Sequence, residues 1–161
     1  MKAKDLMSPI EEYLAPEMSL CAAVTRMRGL KRIHGLPIKG MLVKNEQNKV
    51  VGMVSIKDIL RAVIPTYLSP DLSIFSWDNM LEQMSNRASD KVVGDIMVKD
   101  LVTIDSEVPL MVCTDLMIKK GLQRLPVTDE NDEIIGMVYI RDIFDVVSEY
   151  IEKGGREHGT C

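Results

Sequence analysis

The chain carries nearly the same phrase twice, GMVSIKDI at 52–59 and GMVYIRDI at 136–143. Six of the eight positions are identical, Lys57 and Arg141 keep the charge, and only Ser55 against Tyr139 changes chemical character. A phrase that recurs with its surroundings intact marks a duplicated supersecondary unit, and a duplicated unit restricts the fold to a pairing of two similar halves.

The surroundings do recur. With an offset of 84, MLVKNEQNKVVGMVSIKDILRAV lies over LPVTDENDEIIGMVYIRDIFDVV without gaps. Each stretch has a short apolar run, a polar turn (NEQNK, DENDE), a second apolar run and an amphipathic segment, which predicts a β-hairpin feeding a helix. Ile56, Ile59, Leu60 and Val63 recur at helical spacing, as do Ile140, Ile143, Phe144 and Val147. The leading halves align with an offset of 90, Asp5 over Asp95 and Met7 over Met97, so repeat one holds six extra residues around KRIHGLPIKG. This half predicts a brief strand (Tyr13 and Leu14; residues 102–104) and then a helix. The first helix is expected to start with Ser19 as N-cap and to bury Leu20, Val24 and Met27. The second is expected to start near Pro109 and to bury Leu110, Cys113 and Met117.

Each unit therefore reads β-α-β-β-α, giving repeats at 1–64 and 92–151, a partly helical bridge at 65–91 and a flexible tail at 152–161. In the bridge, Trp77, Leu81 and Met84 form one candidate apolar stripe of a packing helix. The net charge of −4 and pI near 5.2 speak against nucleic acid as a partner. No signal peptide or transmembrane run is visible, so a cytoplasmic protein away from membranes is expected. Cys21 and Cys113 are read as small buried hydrophobes of helices. Cys161 and His158 make a poor metal pair on a tail, and no metal site or disulfide is expected.

The β-α-β-β-α order, the D-L-M and D-I-M openings at 5–7 and 95–97, the RLPVTD strand and the two GMV-x-I-x-D phrases resemble a tandem pair of CBS domains, the family named after cystathionine β-synthase. The resemblance covers about residues 3–64 and 92–151, with no catalytic domain beside it, and suggests a stand-alone pair. It implies an α/β (α+β) fold with pseudo-twofold symmetry, the two repeats packed through their sheets and two clefts between them. Such clefts often bind adenosine-containing molecules: AMP, ADP, ATP, NAD or S-adenosylmethionine. Family members commonly form flat homodimers through their helices. The expected role is a regulatory, ligand-sensing module that needs no cofactor beyond the nucleotide it senses and acts on a protein target. The alternative is a ligand-free dimerisation or scaffold module.

In the family pattern a Gly-h-x-Ser/Thr-x-x-Asp phrase ends the third strand and opens the second helix, the hydroxyl meeting phosphate and the Asp the ribose hydroxyls. Carried over, repeat one supplies Ser55 and Asp58. Repeat two supplies Asp142 but has Tyr139 in the hydroxyl position. The chemistry is sound in itself, since a carboxylate accepts charge-assisted bonds from a diol and a helix N-terminus favours phosphate. Lys57 and Arg141 are placed to neutralise phosphate. By resemblance, Tyr13, Leu14, Val102 and Thr103 of the first strands, with Leu42, Val43, Pro126 and Val127 of the second, would wall the base.

Other roles fit the same residues. Asp58 and Asp142 lie in first helical turns, where an acid steadies the helix dipole with or without ribose. Lys57 and Arg141 suit a solvated surface. Tyr139 can close, reshape or stack in its cleft, and His34 in the inserted loop reads as a surface histidine. Ser55, Cys21 and His34 are nucleophile or base types, but no elbow motif, metal site or orienting pair accompanies them, so no catalysis is expected.

Overall fold

The computed structural model describes residues 1–32, 35–64 and 80–157, together with the backbone alone of His158. His34, Trp77 and Cys161, singled out above, lie outside the described residues, as does the side chain of His158. The described elements are α1 (Ala3–Leu6), α2 (Leu20–Gly29), β1 (Gly40–Lys44), β2 (Val50–Ser55), α3 (Ile56–Val63), α4 (Met80–Ala88), α5 (Val93–Ile96), β3 (Ile104–Asp105), α6 (Leu110–Lys120), β4 (Arg124–Thr128), β5 (Ile134–Tyr139) and α7 (Ile140–His158). They form two compact units. One spans residues 12–101 and contains Ser55; the other joins residues 1–11 to the segment beginning at Val102 and contains Tyr139.

These units are not the two sequence repeats. Each repeat gives its opening segment to the core of the other. In the Ser55 unit, Val93 N–H donates to Met18 C=O and Gly94 N–H to Pro16 C=O, both at 2.9 Å. In the Tyr139 unit, Ala3 N–H donates to Val108 C=O at 2.9 Å and Lys4 N–H to Ser106 C=O at 3.0 Å. A two-way bridge closes each exchange: Met53 with Val98, and Ser8 with Met137. The glycine of the repeated phrase explains why the exchanged segment fits. A Cβ on Gly52 would stand 2.8 Å from Met97 Sδ and 2.8 Å from Val98 O, and one on Gly136 would stand 2.6 Å from Met7 Sδ. The methionine of each D-h-M opening thus rests on a strand position that has no side chain.

The hairpins form as the sequence predicts. β1 pairs antiparallel with β2 and β4 with β5, each with one irregularity, after Val43 and after Val127. Their turns place Asn48 and Asp132 at φ of 62° and 60°, a region that Asn and Asp tolerate. The Asp129 carboxylate accepts from the N–H groups of Glu133 and Asn131, which hold its pKa below the usual value. The first strands are shorter than expected. Leu14 makes a single parallel bridge to Val43, and β3 covers Ile104 and Asp105 rather than 102–104.

Ser19 caps α2, its Oγ accepting from Ala22 N–H at 3.2 Å, and Pro109 precedes α6, which ends on Gly121 at φ 64°. The core of the Tyr139 unit contains Leu110, Cys113, Met117, Leu125, Val127, Val138 and Ile143. That of the Ser55 unit contains Leu14, Ala23, Met27, Met41, Val43, Val54 and Val93. Burial raises the Cys113 thiol pKa, so this cysteine is a packing residue.

Several expectations change. Cys21 is exposed, because the buried face of α2 is Leu20, Ala23 and Met27 and Cys21 falls one step off it. Leu81 of α4 is exposed as well. The apolar stripes of α3 and α7 are wider than their core contact: Ile59 packs on one core and Ile143 lies in the other, while Ile56, Leu60, Phe144 and Val147 face solvent. The residues expected to start a tail at 152 instead continue α7 to His158. Gly154 and Gly155 each cost the helix about 1 kcal/mol, which weakens it without ending it.

Two outcomes follow for stability. Gly52→Ala should destabilise by about 1–3 kcal/mol in denaturant melts. It should cost more than Gly136→Ala, because Val98 O is backbone and cannot swing aside as Met7 Sδ can. The second concerns the N-terminal segment, where Lys2 and Lys4 Nζ donate to the two oxygens of Glu107 and hold its pKa at about 2. A depressed carboxylate pKa stabilises the fold above the ordinary value near 4.5 and ceases to do so as pH falls toward about 2. Amide protection of residues 2–7 should fall across that window by hydrogen exchange, and Glu107→Gln should remove this pH dependence.

Candidate functional site

β2 runs out at Ser55, whose φ of −120° and ψ of 169° are still extended, and α3 starts at the next residue. Asp58 sits one turn into that helix and reaches back. Its Oδ2 accepts from Ser55 N–H at 2.8 Å and from Ser55 Oγ–H at 2.6 Å, and the serine side chain in turn accepts from the Asp58 backbone, completing a capping box. Asp58 is 7% exposed, the one acidic residue among the buried polar groups described. Its other oxygen, Oδ1, meets only Arg61 Nη1 at 3.3 Å, from a side chain 74% exposed.

This arrangement has a definite chemical capacity. Two donors already occupy Oδ2, while Oδ1 has a long, solvent-facing contact and room for a hydroxyl donor. The Ser55 hydroxyl proton is directed at Asp58, so it must rotate before it can donate to an anion. Capping and ligand binding thus draw on the same two side chains.

Lys57 is exposed and forms no ion pair among the described residues. On the far side of β1 from β2, Leu14 is fully buried; its N–H donates to Leu42 C=O and its C=O accepts from Lys44 N–H, both at 2.9 Å. Leu14 therefore has no free backbone edge, and strand alternation points the N–H and C=O of Tyr13 the other way. Leu42 and Val43 are buried. Tyr13 is half-buried, with Lys44 Nζ 3.9 Å from its ring centroid. Lys44 was not among the expected site residues; its signal in the sequence was a lone cation closing an apolar run.

In the Tyr139 unit the same junction is built differently. β5 ends at Tyr139, which supplies no small hydroxyl for a capping box, and Asp142 is half-buried. Arg141 is turned along its own helix, its Nε 3.0 Å from Asp145 Oδ1 and its guanidinium 5.7 Å from the Phe144 ring. The cross-strand neighbours differ too: Gly40 pairs with Ser55, whereas Arg124 pairs with Tyr139 and is buried. Directly paired residues share a face of the sheet. A position without a side chain thus adjoins Ser55, and a guanidinium-bearing one adjoins Tyr139. The offset of 84 matches Gly40 with Arg124, so this second mismatch is also carried by the sequence. Pro126 is fully buried, as is Val127; Val102 is half-buried and Thr103 exposed. Pro126, expected as a wall for the base, presents no surface in this structure.

Among the described residues no cluster of His, Cys, Asp or Glu is able to hold a metal ion, and no helix is long and apolar enough to cross a membrane.

An uncharacterized protein of Methanopyrus kandleri is 26% identical over 71% of this chain, which spans 48% of that relative, about half its length. One from Methanocaldococcus jannaschii is 26% identical over 91% of both chains. Among solved structures, the CBS-pair protein CBSX2 from Arabidopsis thaliana matches with a TM-score of 0.69 at 20% identity, covering 94% of this chain and 96% of its own. CBSX2 in complex with AMP matches with a TM-score of 0.65, also at 20% identity, covering 92% and 97%. The CBS domain model matches residues 3–65 and 93–149, and with both repeats accounted for the chain belongs to the CBS domain family as a tandem pair.

Proposed function

We propose that the chain is a regulatory module that binds an adenosine-containing nucleotide at the Ser55–Asp58 junction. The observation that carries this reading is the Asp58 carboxylate, buried at a strand-to-helix junction with Oδ2 saturated and Oδ1 open to a hydroxyl donor. A ribose diol would take Oδ1, with the weakly held Arg61 giving way. The α3 N-terminus and Lys57 would meet phosphate, and Tyr13 would offer its ring to the base, displacing Lys44 toward the ligand's negative charge. The complex of CBSX2 with AMP supports the class of ligand. Binding at this junction would regulate by favouring one arrangement of the protein, or of a homodimer, over another; a protein target would read the difference.

The Tyr139 junction ranks second. It keeps Asp142 but lacks the small hydroxyl, and Arg141 would have to leave Asp145 to reach an anion. A second reading, a ligand-free scaffold, is favoured by one observation: the Ser55 hydroxyl and Asp58 already satisfy each other as a cap.

Calorimetry with AMP, ATP, NAD and S-adenosylmethionine separates these readings. At least one should bind, and silence from all four at millimolar concentration supports the scaffold instead. Asp58→Ala should weaken binding by about tenfold to a hundredfold, the range for losing a charged hydrogen-bond partner. It should also cost about 1 kcal/mol of stability through the lost cap, read in a parallel melt. Asp142→Ala should change affinity less than threefold; equal losses would reverse the ranking of the two junctions. The bound nucleotide should be recovered intact after long incubation, since the reading assigns no turnover.

A further inference from the structure

Both seats of the exchange are filled by a thioether. Met7 supplies all three atoms nearest to where a Cβ of Gly136 would stand; at Gly52 they are Met97 Sδ and Cγ with Val98 O. A flexible, unbranched side chain suits so narrow a seat, but its sulfur is also an oxidisable atom. The 12 methionines of the chain differ in access. Met1 and Met111 are 60% and 77% exposed, whereas Met27, Met41, Met117 and Met137 are buried. Met7 and Met97 are half-buried, so a small oxidant reaches them. Each also packs against the core of its own unit, so a change there is felt by the fold.

A sulfoxide does not fit these seats. On the glycine side an added oxygen would enter space already too tight for a Cβ. The oxygen is also a hydrogen-bond acceptor, and the N–H groups beside it are committed. Met7 N–H donates to Ala3 C=O and Met97 N–H to Val93 C=O, both at 2.9 Å. Ser8 and Met137 exchange their N–H bonds, as do Met53 and Val98, also at 2.9 Å. The oxygen therefore gains a donor, from water, only when the side chain lifts off the glycine.

We propose that Met7 and Met97 are sites of reversible oxidation by hydrogen peroxide, and that each sulfoxide releases the exchanged segment of its unit. The thioether sulfur attacks one peroxide oxygen. An S–O bond forms, the O–O bond breaks, the sulfur gives up two electrons, and the second oxygen leaves as water with both protons. A thiol-dependent reductase, supplying two electrons and two protons, removes the oxygen as water and restores the seat. The device is independent of the nucleotide reading, since neither methionine belongs to the Ser55 or Tyr139 junction.

The test treats the full chain with graded hydrogen peroxide and follows oxygen uptake and amide exchange, peptide by peptide, by mass spectrometry. Met1 and Met111 should gain oxygen first, Met7 and Met97 next, and the four buried methionines last. Oxidation at Met7 should speed exchange of residues 3–8, and oxidation at Met97 that of residues 93–98, by on the order of tenfold, the effect of stranding one acceptor. Chains oxidised at Met1 and Met111 alone should exchange as the untreated chain does, and a methionine sulfoxide reductase should restore protection. Met7→Leu with Met97→Leu, a nearly volume-conserving change, should keep its protection at the same peroxide dose. The proposal is overturned if Met7 and Met97 oxidise no faster than the buried methionines, or if their sulfoxides leave exchange unchanged. Loss of protection by the leucine variant equal to that of the wild type also overturns it, and the wild-type measurements decide the matter if that variant folds poorly.

Discussion

Each unit is closed by a methionine set against a glycine. Met97 lies on Gly52 and Met7 on Gly136, and these contacts anchor the segment that each repeat contributes to the other's core. Glycine is needed here because the approaching atoms occupy the place a Cβ would fill, not because the backbone needs a left-handed conformation. The short helices α1 and α5 and the starts of α2 and α6 are held by backbone bonds between the exchanged stretches. An isolated repeat would expose that seat, so the chain needs both copies to complete either core.

The strand that carries the glycine also ends at the candidate site. Gly52 and Ser55 lie three residues apart on β2, so the exchange that fixes one end of the phrase fixes the other. Asp58 is then buried by the fold and held through Oδ2 by Ser55, which fixes its rotamer. At the matching place in the other unit, Tyr139 and Arg124 stand where Ser55 and Gly40 do, and the cation of that turn is engaged along its helix. The duplication therefore preserved a structural seat in both units and let the chemistry beside it diverge.

Much of this was legible because it is local. Alternation and turn residues specify the hairpins, Ser19 and Pro109 mark helix starts, and spacing selects Leu110, Cys113 and Met117 for burial. Cys21 was misread because helical spacing gives a face only to within a step, and the packing partner chooses which residues of it are covered. The stripes of α3 and α7 follow helical spacing too, and packing covers Ile59 and Ile143 while Ile56, Leu60, Phe144 and Val147 stay exposed. Lys44 closes an apolar run and Arg124 stands opposite Gly40 in the repeat alignment, but what each cation adjoins depends on which residue lies across the sheet.

The sequence by itself determined the duplication, the order of elements, the acid in the first turn of α3, and the mismatch at Tyr139. These depend on backbone propensity and on side chains a few positions apart. Only the tertiary structure decided that the opening segments change places, that Asp58 is buried with one oxygen saturated, and that Gly40 and Arg124 adjoin the two junctions. Those outcomes rest on contacts between residues tens of positions apart, which close packing and cross-strand register set and which no local pattern encodes.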